Sequence, residues 1–463
     1  MARHSRRMAA ARLSAALSGA MTNRCRPRAA ALALALLLAT GRAAQAGEAD
    51  NAAVQTAAVD DADAAALDLA DRSAAASAAP ADVAKPWKFD VQDALRMSRY
   101  RDGGDGGRNQ LSIEFDYAQW LTPSFGAHVS MRFDRFDPLG SSRTSSRNET
   151  LVKEAYASWR ATPAFVVDAG RINERLGAAI GYNPTDFFRA GAVSLDVPPD
   201  PDSRHTNRLG TVALRAQHVW ASGSVALLAS PRLASRSVPG DPDASSDLQR
   251  TNGVDRWMLV ASQRLGALVQ PQWVVYGESG QSPQFGQNLS VLAGNAVVAY
   301  LEWAGGYRPS LIARAAGSGA DRAFRTSASV GATWTLPIDL SLTAEFQRNG
   351  GGARASQWRT LQAADPYRWG DAVRRSIAAQ ELQTRHGLFL MAAWRNVGVR
   401  RLDLAAFVQA DLGGGRQYWI ELRRRFDRFD VALQWLRQSG PSWSRFGAMP
   451  ESASVQLLGI FYR

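Results

Sequence analysis

Beyond residue 46 no stretch of this chain approaches 18 consecutive apolar residues, yet apolar residues recur at every second position over segments of about ten. Leu111, Ile113, Phe115 and Tyr117 alternate with Ser112, Glu114 and Asp116. Leu340, Leu342, Ala344 and Phe346 alternate in the same way with Ser341, Thr343, Glu345 and Gln347, and residues 327–336, 402–411 and 417–423 repeat the pattern. A helix needs a period near 3.6, so these segments are strands with one apolar and one polar face. Membrane-spanning helices are excluded, but a soluble antiparallel sandwich alternates too, and alternation alone leaves it open.

The connections narrow the choice. Tight links fall near 122–124, 162–163, 221–223, 266–267, 306–309, 337–339, 396–398 and 427–428. They alternate with mostly longer polar links near 98–108, 137–150, 173–207, 231–255, 279–294, 316–325, 348–386, 411–416 and 438–451. Short turns at one end and long loops at the other predict an all-β fold over residues 87–463, an antiparallel transmembrane β-barrel with short periplasmic turns and long extracellular loops. Eight turns and nine loops join 18 strands, with 16 as the other possible count; either even number returns both chain ends to the periplasmic side. About 21 residues per strand and connection suit spans of roughly 9 to 11.

Tryptophans support the membrane reading. Trp159, Trp220, Trp303, Trp334 and Trp394 share the parity of the lipid-facing residues near the turn end of their strands, as a girdle at the periplasmic interface would. Trp120 has the opposite parity and joins them only if a bulge intervenes.

The N-terminus reads as an address. Arg24, Arg26 and Arg28 precede the apolar run Ala29 to Ala39, and Ala44-Gln45-Ala46 follows as a small-x-small cleavage site, so residues 1–46 are expected to be a secretory signal peptide, with Met21 as an alternative start. The single cysteine, Cys25, would leave with it, removing disulfides, thiolate metal sites and cysteine nucleophiles together. Residues 47–86 hold eight acids, two bases and almost no large apolar side chain. They are expected to form a disordered linker, a short helix over 61–76 being the alternative.

The formal charge of +12 divides unevenly. Residues 1–46 carry eight Arg and no acid, and residues 87–463 carry 44 bases against 34 acids. Without residues 1–46 the chain carries 46 bases against 42 acids, a net of +4, which is no nucleic-acid signature.

In these features the chain resembles the Gram-negative outer-membrane porins and alginate-export-like barrels. Gly170-Arg171 leads into Gly181-Tyr182-Asn183-Pro184-Thr185-Asp186-Phe187-Phe188, which is similar to the Asn-Pro-Thr-Asp loop of several outer-membrane families. The last strand, Ser452 to Arg463, with Gly459, Phe461 and Tyr462, is similar to the signal read by the barrel-assembly machinery, although it ends on Arg463 instead of an aromatic residue. The resemblance implies integration into the outer membrane, with membrane lipid, lipopolysaccharide and the assembly machinery as partners.

Parity assigns to the lumen Glu114, Asp116, His128, Arg132, Asp134, Glu154, Arg215, Arg314, Glu345, Arg395, Asp403, Glu421, Arg423 and Arg425. Opposed charges across a water-filled pore would orient passing solutes; pairing between neighbouring strands would instead stiffen the wall. Segment 173–207 is the third long loop, the one porins fold into the pore. Asn183 can cap and Pro184 can begin a short helix, placing Asp186 and Arg189 on one face at a constriction; a loop lying over the outer rim is the other arrangement. The channel-lining set is therefore Asp186, Arg189, Arg132, Asp134, Arg215, Arg314, Arg423 and Arg425, with no catalytic residue, metal or cofactor. His128 beside Ser130 reads as wall rather than general base. The expectation is a diffusion channel for small hydrophilic solutes, the alternatives being an export conduit for an anionic polysaccharide and a barrel-embedded hydrolase.

Overall fold

The structure, a computed structural model, describes residues 85–140, 145–192, 201, 206–234, 247–266, 268–319 and 321–463. The expected signal peptide and all of the expected linker before Lys85 lie outside the described residues.

Eighteen antiparallel strands form one sheet: β1 (Trp87–Tyr100), β2 (Asp105–Trp120), β3 (Phe125–Leu139), β4 (Arg147–Thr162), β5 (Phe165–Ile172), β6 (Thr211–Trp220), β7 (Gly223–Ser230), β8 (Arg256–Gln263), β9 (Val269–Glu278), β10 (Gln284–Ala293), β11 (Val297–Arg308), β12 (Ala323–Leu336), β13 (Leu340–Asn349), β14 (His386–Trp394), β15 (Leu402–Asp411), β16 (Arg416–Arg425), β17 (Phe429–Ser439) and β18 (Glu451–Tyr462). Each strand pairs with its sequence neighbour. The ring then closes through β1 and β18, from Asp90 opposite Tyr462 to Tyr100 opposite Glu451. Closure removes the sheet edge, which is what lets strands satisfy their backbone groups inside lipid.

The two faces follow the alternation. On β2, Leu111 and Phe115 are exposed outward while Gln110, Ser112 and Glu114 are buried inward. On β13, Leu342, Ala344 and Phe346 point out and Thr343, Glu345 and Gln347 point in. Leu214, Leu227, Phe285, Leu301, Val330 and Ile420 continue the exposed apolar belt. An apolar exterior around a polar interior inverts a soluble sandwich and suits a wall immersed in lipid.

One rim carries the eight tight turns and both ends of the barrel sequence; the other carries nine loops. The loops hold helices α1 (Asp247–Thr251), α2 (Leu311–Ala315), α3 (Ala355–Ala364), α4 (Pro366–Ala378) and α5 (Arg445–Ala448). Leu311, Ala315, Ala353, Trp358, Ala372 and Trp443, drawn from three of these loops, share a small apolar core that packs the helices together over the barrel mouth.

The strand number agrees with the sequence pattern, but one turn is displaced. The tight link near 306–309 is the end of β11 running toward the long-loop rim; the turn itself is 294–296, where Gly294 adopts φ 66°. Residues 284–293, expected within a loop, are β10, and residues 311–315, expected within a strand, are α2. The two exchanges cancel in the count. Ser310 drives the second, its Oγ accepting the Ala313 amide at 3.1 Å as a helix cap. Arg314 therefore sits on a helix in a rim loop and not on the inner wall, and Arg395 lies in the turn after β14.

Trp303 also moves, to the middle of a strand that runs the other way, whereas Trp159, Trp220 and Trp334 are exposed near the tight-turn rim. Trp120 does not join the girdle: β2 and β3 pair in unbroken register, so no bulge corrects its parity, and its ring lies under the Arg160 guanidinium. A bulge does occur in β4, where Ser130 faces Glu154 and Met131 faces Val152, leaving Lys153 as the extra residue.

Candidate functional site: a loop across the lumen

The loop between β5 and β6 folds inward instead of over the rim. It leaves β5 at Ile172 and crosses to the wall formed by β10–β15; β13 is eight strands from β5 in a ring of 18, almost opposite. Backbone amides make the crossing firm. The Ala179 N–H donates to Glu302 Oε1 at 2.6 Å, and the Ile180 and Gly181 N–H groups donate to the two oxygens of Glu345 at 2.5 and 2.9 Å. Tyr300 donates its hydroxyl to the same Glu345 carboxylate at 2.7 Å. Ser329 donates to the Tyr182 carbonyl, Gln409 to the Gly181 carbonyl, and Thr185 to Asn288 Oδ1. Glu302, Glu345 and Ser329 all lie near mid-strand, so the loop is held at mid-height.

Glycine permits this close approach. Gly177 adopts φ 80°, and a Cβ there would lie 2.3 Å from Glu302 Oε1; a Cβ at Gly181 would meet the Gln347 amide and the Phe389 ring. Beneath the first part of the loop, Ile172, Leu176 and Phe188 pack on inward-facing Leu228, Met258, Val274 and Tyr276. With both neighbours clamped, Ile180 is left 37% exposed.

Asn183 does cap, its Oδ1 accepting the amides of Thr185 at 3.1 Å and Asp186 at 2.8 Å, but no helix follows Pro184. The side-chain oxygen closes a local turn, and Thr185 and Arg189 are each drawn to partners outside it, so the chain runs on as successive turns. Asp186 and Arg189 consequently do not share a helix face. Asp186 is buried and ion-paired with Arg208 on the returning limb, and Arg189 donates to the Ala379 and Asn183 carbonyls while its guanidinium faces the Tyr182 ring. Residues 193–200 and 202–205 of the loop, His205 among them, lie outside the described residues.

The other predicted residues fall into separate clusters. Arg132 is buried on β3, donating to Glu114, to Asp134 at 2.9 Å and to Ser112 at 2.7 Å, with Asn207 of the loop also in reach. Asp134 accepts further from Gln110 at 3.0 Å. Arg215 bridges Asp168 of β5 at 2.7 Å and Glu174 of the loop at 3.0 Å. These groups face inward but lie in a paired network beneath the loop. Arg423 pairs with Glu421 at 2.8 Å and Arg425 with Asp403 at 2.7 Å, at the tight-turn end of β16. Arg314 meets Glu381 among the cap helices. Burial alone would raise the Glu381 carboxyl, but Arg314, Arg308 and Arg189 outweigh it and hold it below the ordinary carboxylate value.

Lys153, Glu302 and Arg208 are neighbours of the site that the sequence reading did not single out. Lys153 reaches Glu114 at 3.0 Å because the bulge turns it and Glu154 inward together, and a bulge leaves no mark in a period-two pattern. Glu302 alternates correctly with Leu301 and Trp303 in β11, so its parity was the available signal. His128 contacts Tyr156 at 2.9 Å, while Ser130 donates to Asp116, so the two are not a nucleophile and its base.

No family model and no curated protein matches the sequence. The fold is nevertheless shared with solved outer-membrane porins. OccK8 (OprE) of Pseudomonas aeruginosa aligns with TM-score 0.50 and 10% identity over 82% of this chain and 98% of its own. OpdK of the same organism, solved with vanillate, aligns with TM-score 0.50 and 10% identity over 81% and 98%. OccAB1 of Acinetobacter baumannii aligns with TM-score 0.50 and 8% identity over 81% and 96%.

Proposed function

We propose that this chain is an outer-membrane channel through which small hydrophilic solutes diffuse, with the loop between β5 and β6 setting the aperture. The observation that carries it is the clamping of residues 179–181 by Glu302 and Glu345, on the far wall of a closed 18-strand barrel. A backbone fixed by carboxylates keeps its position while solutes pass, and a pore narrowed by such a crossing favours small solutes over a polymer. In this reading Ile180 and Arg189 border the path, whereas Arg132, Asp134 and Arg215 stiffen the wall beneath the loop through paired charges. Arg423 and Arg425 line the tight-turn mouth, the periplasmic one, and the signal peptide, the barrel-assembly machinery and lipopolysaccharide belong to the same setting.

Single-channel recording in planar bilayers tests it. A steady aqueous conductance is expected, and Arg189→Ala should shift the reversal potential toward cations, because a fixed charge in a narrow passage biases which sign enters. Folded barrel without conductance overturns the proposal.

A further inference from the structure

The tight-turn rim is basic on one side only. Residues 85–90, 395–403, 423–430 and 461–463, which form the ends of β14–β18 and β1, hold ten Lys and Arg against four Asp. The other six tight turns, counted with three residues on either side, carry Arg160, Arg264 and Asp339 between them. The basic arc is continuous. Arg401 of the β14–β15 turn pairs with Asp427 of the β16–β17 turn, Arg424 donates to the Arg400 carbonyl, and the Tyr462 amide of β18 donates to the Arg428 carbonyl. At the seam a cavity of about 590 Å³ is lined by Lys85, Arg428, Tyr462 and Arg463, three cations and no carboxylate side chain.

The chain enters the barrel at this seam. Immediately before Lys85, residues 47–84 carry eight acids, from Glu48 to Asp82, against the single base Arg72. We propose that this acidic segment docks on the basic arc of its own barrel, with Asp82 beside the seam cavity and Asp60, Asp61, Asp63, Asp68 and Asp71 along the turns of β14–β17. The charges nearly match, at seven net negative against six net positive. Individual exposed pairs are weak, but a tether keeps the acids at high effective concentration beside the arc, so several weak pairs act together. The contact lies along one side of the tight-turn rim, and its test does not depend on conductance.

Cross-linking of the full chain, purified from membranes in a Cys25→Ser background, tests this. Asp68→Cys is paired either with Val399→Cys, exposed in the basic arc, or with Ala221→Cys, exposed in an uncharged turn on the opposite side. The 17 residues from Asp68 to Lys85 can extend to about 55 Å, so the tether itself does not choose between them. At low salt a short bismaleimide should link to Val399→Cys about fivefold more than to Ala221→Cys, and 1 M salt, whose Debye length is about 3 Å, should remove the preference. Replacing Asp60, Asp61, Asp63 and Asp71 by Asn should remove it as well, with heat-modifiable mobility verifying that each variant is folded. Equal yields at low salt overturn the proposal, as does a preference that survives either the salt or the Asn replacements.

Discussion

The carboxylate of Glu345 accepts the amide of Gly181 at 2.9 Å, although 164 residues separate them in the chain. It also accepts the Ile180 amide and the Tyr300 hydroxyl, so one wall side chain fixes both the height and the reach of the loop. Hydrogen bonds to a charged acceptor contribute about 1.5 to 3 kcal/mol each, more than neutral ones. Glu345→Ala should therefore free the crossing, giving a larger and noisier conductance in single-channel recordings. Glu345→Gln keeps one acceptor oxygen and should fall between wild type and Ala. Unchanged current for Glu345→Ala would mean that the loop is held elsewhere.

Ile180 offers a size test at the same place. Its side chain is exposed while the amides on both sides of it are occupied. Ile180→Trp should lower the conductance and Ile180→Ala raise it, each on the order of twofold. Opposite signs, or no effect of either, would remove Ile180 from the aperture.

Asp186 and Arg208 form a buried ion pair between the two limbs of the loop. Removing one partner of such a pair costs about 3 to 5 kcal/mol, because the other charge stays buried alone. Asp186→Asn and Arg208→Gln should each lower the temperature at which heat-modifiable mobility is lost, and the double variant should lose less than the sum. Additive losses would show that the two side chains act independently.

The depth of the wall makes a prediction about lipid. Ala344 faces outward at mid-strand, where an Arg costs about 2 to 4 kcal/mol, whereas Thr333, at nearly the same height on β12, faces inward. Ala344→Arg should reduce the folded fraction far more than Thr333→Arg. Equal tolerance would contradict the register.

Acid should loosen the helical cap. Glu381 has its carboxyl held below the ordinary 4.5 by its guanidinium neighbours, so its stabilisation is complete above the unfolded value and is lost as pH falls through the lower, folded one. A thiol introduced at Ile312 on α2, which packs in the cap core, reports opening. Glu381→Gln should speed its labelling at pH 7, and the difference from wild type should shrink as the pH falls below 4.5 and through the lower, folded value. A difference that persists in acid would assign the effect to packing.

The wall was far more legible in the sequence than the lumen. Alternation such as that of Leu111 to Tyr117 records which face meets lipid, since every second residue answers to the same surroundings. Turn chemistry was less secure. Gly306-Tyr307-Arg308-Pro309 has the composition of a turn but is mostly strand, while Gly294-Asn295-Ala296 makes the turn. The loop position was hidden for a different reason: Ala179, Ile180 and Gly181 are held through backbone amides, and a backbone donor has no residue type to read. Partners were equally hidden. Arg208 pairs with Asp186 only because two limbs of one loop return to each other, and Lys153 meets Glu114 only because β4 carries an extra residue.

The pairing of β1 with β18 bears on how this molecule comes to exist. Arg96 on the first strand donates to Gln456 on the last across 360 residues of intervening chain, so the closing contacts are the most non-local the ring possesses. Loop-closure entropy opposes such contacts until nearly everything between them is in place. Until residues 451–462 arrive, β1 and β17 would each present an unpaired edge to any other chain nearby. The seam is thus a checkpoint in time: a truncated product leaves an open, adhesive sheet instead of a slightly weaker barrel.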